Sequence, residues 1–101
     1  MIAQFSIIPL GTGASVSGKV AEAIKIVDKS GLDYRVTPMG TVVEGDLDEV
    51  LALIKKCHTA VLAQTDRVYT TISIDDRKGR AHAMAQKIAS VEEKAGIIVK
   101  K

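Results

Sequence analysis

Residues 34–44, Tyr34-Arg35-Val36-Thr37-Pro38-Met39-Gly40-Thr41-Val42-Val43-Glu44, decide the fold. Tyr34 to Met39 and Thr41 to Glu44 are two short extended runs hinged at Pro38-Met39-Gly40, and they predict two adjacent strands. Helical periodicity flanks the pair on both sides. Upstream, Val16, Val20, Ile24 and Val27 mark one face of a helix, which Gly31 stops in the left-handed conformation. Downstream, Val50, Ile54, Cys57 and Val61 line a second helix, introduced by Asp46-Leu47-Asp48-Glu49. There Asp46 is expected to accept the amide of Glu49 while Glu49 reaches back, a capping box with Asp in place of Ser or Thr.

Working outward, Ala3 to Leu10 is rich in branched residues and predicts a first strand, closed by Pro9-Leu10-Gly11. The loop Gly11-Thr12-Gly13-Ala14 leads to Ser15, a candidate N-cap. Arg67 to Asp75 alternates with β-branched residues and predicts a fourth strand. A third helix, Gly79 to Lys94, is expected to carry Ala81, Ala85, Ile88 and Val91 on its inner face. The order is therefore strand, helix, strand, strand, helix, strand, helix. Its first six elements are the split β-α-β arrangement, so the fold class is α+β. Residues 1–101 are read as a single ferredoxin-like βαββαβ sandwich with an additional C-terminal helix, its antiparallel sheet covered by helices on one face.

Composition narrows the function classes. The chain has 101 residues, 14 Lys and Arg against 12 Asp and Glu, and 3% aromatics, namely Phe5, Tyr34 and Tyr69. That charge balance and that shortage of stacking rings argue against nucleic-acid binding and aromatic cages. Cys57 stands alone, so no intrachain disulfide and no Cys-ligated iron or zinc cluster forms within one subunit. Apolar stretches fall short of a membrane span, no leader is read, and the expected location is the cytoplasm.

Strand alternation predicts what the helix-free sheet face carries. With Phe5 and Ile7 facing the helices, Gln4, Ser6 and Ile8 face away. Tyr69, Thr71 and Ser73 join them from the last strand, and Arg35 and Thr37 from the second, while Val68, Thr70, Ile72, Ile74, Tyr34 and Val36 turn inward. A hydroxyl-rich, weakly charged face suits a second sheet or a small polar ligand; plain β-propensity for Thr accounts for it as well.

Catalytic motifs are weak. Gly11-Thr12-Gly13 begins like a dinucleotide fingerprint, but Val16 replaces the third glycine; Gly18-Lys19-Val20 lacks the Ser or Thr of a phosphate loop. His58 and His82 fall on separate helices without metal-ligand spacing, and solvent-facing or helix-end roles suit them. Cys57 reads as a buried, inert thiol. No cofactor or metal is expected, and the reading is non-enzymatic. Arg77-Lys78-Gly79-Arg80 places three cations where a turn enters the third helix. Arg77, Lys78 and Arg80 are candidate anion ligands there, against a plain solvated turn.

The segment Leu32 to Gly45, with Ile7-Ile8-Pro9-Leu10-Gly11 and Ile54-Lys55-Lys56-Cys57-His58, resembles the thiamine-binding protein family, small proteins once catalogued as uncharacterised. The resemblance spans nearly the whole chain. It implies a ferredoxin-like subunit whose sheets pair into homodimers and commonly homotetramers, and a small-molecule pocket on the sheet. The expected ligand is thiamine or a related pyrimidine. Ser6, Thr37 and Thr41 would meet its aminopyrimidine, Met39 would form an apolar wall, and Glu44 would bind the ring nitrogen or offset the thiazolium charge. Thr41, beside the Gly40 hinge, is the strongest candidate. Glu44 has an equal structural claim, as a cap or pairing partner near the second helix. The alternative function is an effector-sensing regulatory module binding an anion or amino acid at a subunit interface. The tail Gly96-Ile97-Ile98-Val99 adds to the expectation of self-association.

Overall fold

Side chains of β1 (Ile2–Leu10) alternate strictly, with Ala3, Phe5, Ile7 and Pro9 buried on one side and Gln4 and Ile8 exposed on the other. Around this strand the computed structural model, which describes residues 1–11, 16–79 and 83–101, assembles the remaining elements. They are α1 (Val16–Lys29), β2 (Asp33–Thr37), β3 (Gly40–Glu44), α2 (Leu47–Leu62), β4 (Arg67–Asp75) and α3 (Ala83–Ala95). Thr12, Gly13, Ala14, the candidate cap Ser15, Arg80, Ala81 and His82 lie outside the described residues. The sheet runs β2-β3-β1-β4, antiparallel throughout. This is the expected ferredoxin-like α+β fold. Among the described residues no helix is long and apolar enough to cross a membrane.

The core lies between the sheet and two helices. Ala23 and Val27 from α1 meet Val50, Leu53, Ile54, Cys57 and Val61 from α2 over Ala3, Phe5, Ile7 and Val43. Every residue expected on the inner face of the second helix is buried. Gly31 ends α1 at φ +79, the left-handed stop that its sequence predicts. At the start of α2 the outcome differs. Asp46 occupies the cap position, but its side chain makes no capping bond, and the capping box does not form. Asp46 is exposed, so water competes for its carboxylate and for the free helix amides.

The two ladders of β1 have unequal length. With β4 the pairing runs from Ile2↔Asp75 to Leu10↔Arg67. With β3 it runs only from Ile2↔Glu44 to Phe5↔Thr41. Just before that register the Met1 ammonium donates to the Gly45 carbonyl at 2.8 Å, and the Gly45 amide donates to the Met1 carbonyl at 3.0 Å. Hydrogen-bonding direction alternates along a strand, so Ala3, Phe5, Ile7 and Pro9 turn their backbone groups toward the β3 side. Pro9, which has no N–H, therefore falls on the side where the ladder has already ended and removes no bond from β1–β4.

The third helix departs from expectation. It is described over Ala83–Ala95, where Met84 is buried and Ile88 half-buried, but Ala85 is exposed and Val91 is 55% exposed. Its first turn is held by the Glu44 carboxylate, which accepts the Met84 amide at 3.4 Å, and by the Lys87–Asp75 ion pair. The periodic apolar face is thus covered only in part by its own chain. Ile72 and Ile74 share the helix-side face with Phe5 and Ala3 by register, as expected, yet remain 44% and 46% exposed. They sit on an edge strand, toward the end that α2 does not cover.

Candidate functional site

Because β3 stops opposite Phe5 while β1 continues, a recess opens where a further stretch of strand would lie. α1 roofs it with Val20, Ala23 and Ile24; β1 contributes Phe5, Ser6, Ile7 and Ile8; and the β2–β3 turn, Val36 through Thr41, closes the side. The cavity measures about 440 Å³, within the range of small-molecule sites. Among the described residues no charged one lines it. The described walls are mostly apolar with a few polar atoms, which suits a flat ring.

The turn is built by its own hydrogen bonds. The Thr37 hydroxyl donates to the Gly40 carbonyl at 2.8 Å and accepts the Met39 amide at 3.2 Å. Gly40 adopts φ +153, and a Cβ there would stand 2.9 Å from the Phe5 carbonyl oxygen. Glycine is thus required on both conformational and steric grounds.

The candidate residues separate by what their polar atoms already do. Ser6, Thr37, Met39 and Thr41 all line the one cavity. The Ser6 hydroxyl is bonded to Thr71 at 3.0 Å across the β1–β4 ladder, and that of Thr37 serves the turn. Met39 stands at the tip, 81% exposed, as a mobile-length apolar side chain at the mouth. Thr41 is different. It faces the helix side of the sheet, opposite Phe5, and is 6% exposed, the one buried polar residue among those described. No described residue hydrogen-bonds its hydroxyl. Glu44, on the same strand, lies outside the lining and holds the first turn of α3, which supports its structural reading, at the third helix rather than the second. Arg77 and Lys78 are exposed in the turn after β4, while Arg80 lies outside the described residues.

The open sheet face carries Gln4, Ser6, Ile8, Tyr69, Thr71 and Ser73 as alternation predicts, but the cavity lies at its rim, under α1. Val20 and Ile24 belong to this cavity rather than to the core. Their place on the periodic face of α1 marked them as apolar and facing inward, without saying what they would face. Neither histidine-based nor acidic metal sites occur among the described residues. His58 is not solvent-facing: its Nδ1 pairs with the Thr70 hydroxyl at 2.7 Å and ties α2 to β4.

Cys57 is fully buried, with its Sγ 3.5 Å from the Ala23 carbonyl. Burial pushes its thiol from an ordinary 9.0 up to about 11. The folded state holds this proton more tightly than the unfolded state, so the contribution is intact below pH 9 and is lost as pH rises from 9 to about 11. Urea midpoints are expected to fall across that window, and Cys57→Ala should flatten this part of the profile. An unchanged profile in the variant would assign the alkaline loss to other groups.

Fold and cavity together define a ferredoxin-like α+β protein with a mostly apolar recess between its first helix and its sheet. Residues 3–92 match the family model described as thiamine-binding protein. The chain belongs to the thiamine-binding protein family. It is similar to the UPF0045 protein MJ1052 of Methanocaldococcus jannaschii, with 44% identity over 93 residues, 92% of this chain and 93% of that one. The crystal structure of MJ1052 superimposes with a TM-score of 0.83, covering 91% of this chain and 95% of the other. A domain of unknown function from Bacillus cereus gives a TM-score of 0.82 at 29% identity, covering 92% and 90% of the two chains. A candidate thiamine biosynthesis/salvage protein from Thermotoga maritima shares the fold, with a TM-score of 0.78 at 20% identity and coverage of 88% and 95%.

Proposed function

We infer that the protein is a non-enzymatic binder of thiamine or a related pyrimidine, which it takes into the recess between α1, β1 and the β2–β3 turn. One observation carries the reading: Thr41, 6% exposed, lines a cavity with no charged residue among the described ones, and no described residue bonds its hydroxyl. No buried polar side-chain atom among the described residues lacks a partner, so this hydroxyl is open to solvent, and a ligand that displaces that solvent can bond it. Family membership and the ring-sized apolar walls support the same conclusion. Ser6, Thr37 and Met39 shape the site, with Ser6 and Thr37 contributing their surfaces more than their hydroxyl bonds.

Calorimetric titration with thiamine, its phosphates and the isolated pyrimidine tests this. Saturable heat with thiamine and with the pyrimidine is expected, with no gain from the phosphates because none of the described lining residues is a cation. Thr41→Val should weaken binding by about 1–3 kcal/mol. Absence of heat from every one of these ligands would overturn the reading, and undiminished affinity in Thr41→Val would remove that hydroxyl from the site.

The binder acts, in this reading, as a homodimer or homotetramer. Support comes from Ile8 and Tyr69 on the open face, from Ile72 and Ile74, and from Val91, Ile97 and Ile98 along α3 and the tail, all exposed apolar groups on one small chain. Light scattering at micromolar concentration should return a multiple of the 10.8 kDa chain mass; a monomer mass would overturn the assembly.

A further inference from the structure

Thr41 is one recognition element of the cavity, and the main chain of β1 supplies another. The β1–β3 ladder ends at Phe5↔Thr41, and the reciprocal Met1–Gly45 bonds establish that Ile7 and Pro9 turn their backbone groups to that same side. Ile7 therefore presents an N–H and a C=O side by side on an edge that β3 does not reach. Neither group is bonded by another described residue, and Ile7 lines the cavity. Such a pair is a donor next to an acceptor, satisfied by water or by a ligand with the complementary edge.

Pro9 decides what kind of ligand that is. An added peptide strand needs donors and acceptors repeated at alternate residues, and the next position along this edge has no N–H to offer. The edge thus provides one donor–acceptor pair. That matches a ring nitrogen adjacent to an exocyclic amine, and the apolar side chains of Val20 and Ile24, both on α1, line the cavity on the side where they can cover one face of such a ring.

We propose that the Ile7 main chain reads the amino–ring-nitrogen edge of an aminopyrimidine: its N–H donates to the ring nitrogen, and the exocyclic amine donates to its carbonyl. The inference rests on the cavity being a pyrimidine site and adds the edge by which the ring is held. Recognition by backbone also explains how a cavity with one uncommitted hydroxyl can be specific.

The test is titration of the ¹⁵N-labelled full chain with 4-amino-2-methylpyrimidine, followed residue by residue in amide spectra and by hydrogen exchange. The Ile7 amide is expected to show one of the largest shifts and to exchange more slowly when the ligand is bound. The 4-methylamino analogue, which keeps a donor, should bind about tenfold or more tightly than the 4-methoxy analogue of equal size, which lacks it. Saturable shifts around Thr41 with an unmoved Ile7 amide, or equal affinity for the two analogues, would overturn this edge and leave the pyrimidine reading standing. No shift at any residue at millimolar ligand would overturn both.

Discussion

Replacing Phe5 with alanine is expected to lower the stability of the fold by about 3–5 kcal/mol, the usual cost of emptying a buried aromatic site. Phe5 is buried in the middle of the core, and its strand is paired on both sides there, with Thr41 and with Ile72. It is the single phenylalanine of the chain, and neither tyrosine lies in the buried core. The surrounding side chains are mostly Val, Ile and Ala, too short to close the space by rotation. Domains of this size have about 5–15 kcal/mol in total, so the variant should unfold at a much lower urea concentration. Phe5 also lines the cavity, and ligand affinity should fall with stability. A loss below about 1 kcal/mol would show that the interior repacks, contrary to its close-packed description.

Gly40→Val should cost about 2–3 kcal/mol, and for reasons unrelated to apolar burial. Its φ of +153 is a conformation that side-chain-bearing residues avoid, and the new Cβ would meet the Phe5 carbonyl oxygen at 2.9 Å. The obstacle is backbone of the central strand, so relief requires the turn to move rather than a side chain to rotate. The thermal midpoint should drop, with amide shifts concentrated at Thr37 to Thr41 and around Phe5. The proposed thiamine binding should be lost more completely than stability, because this turn is one wall of the recess. A variant of full stability would contradict the assigned backbone conformation.

Much of the fold was legible in local sequence, for identifiable reasons. The strand pair around Pro38-Met39-Gly40 announced itself because the turn residues are chemically distinctive, and α2 because its apolar spacing matches a helix buried along one side. α3 was legible as a helix but not as a helix whose apolar face its own chain covers only in part: periodicity reports that a face is apolar, and says nothing of whose surface meets it. Asp46 illustrates a similar limit, since a good capping residue in the right place still competes with water when the helix end is exposed.

The site was less legible than the fold. Alternation placed Ser6 and Thr37 on the correct face, but whether a hydroxyl is free depends on its neighbours, here Thr71 for one and the turn backbone for the other. Thr41 stood out through family resemblance, not through spacing. The cavity itself arises because β1 is longer than β3, a difference that takes meaning only once the register is known. Pro9 was its one local trace, a residue that could sit in a central strand only if one side of that strand lacked a partner.

The long pairing of β1 with β4 has a consequence for how the protein comes into being. Ser6 and Thr71, bonded across that ladder, are 65 residues apart in sequence. At a synthesis rate of about 5–20 residues per second, β1 emerges roughly 3–13 seconds before the strand that completes its neighbourhood. During that interval the most apolar strand of the protein has only the short β3 to pair with. The order of elements along the chain therefore makes the nascent polypeptide dependent on its last strand, and a polypeptide truncated before Arg67 should be a substrate for chaperones and proteases rather than a smaller working domain.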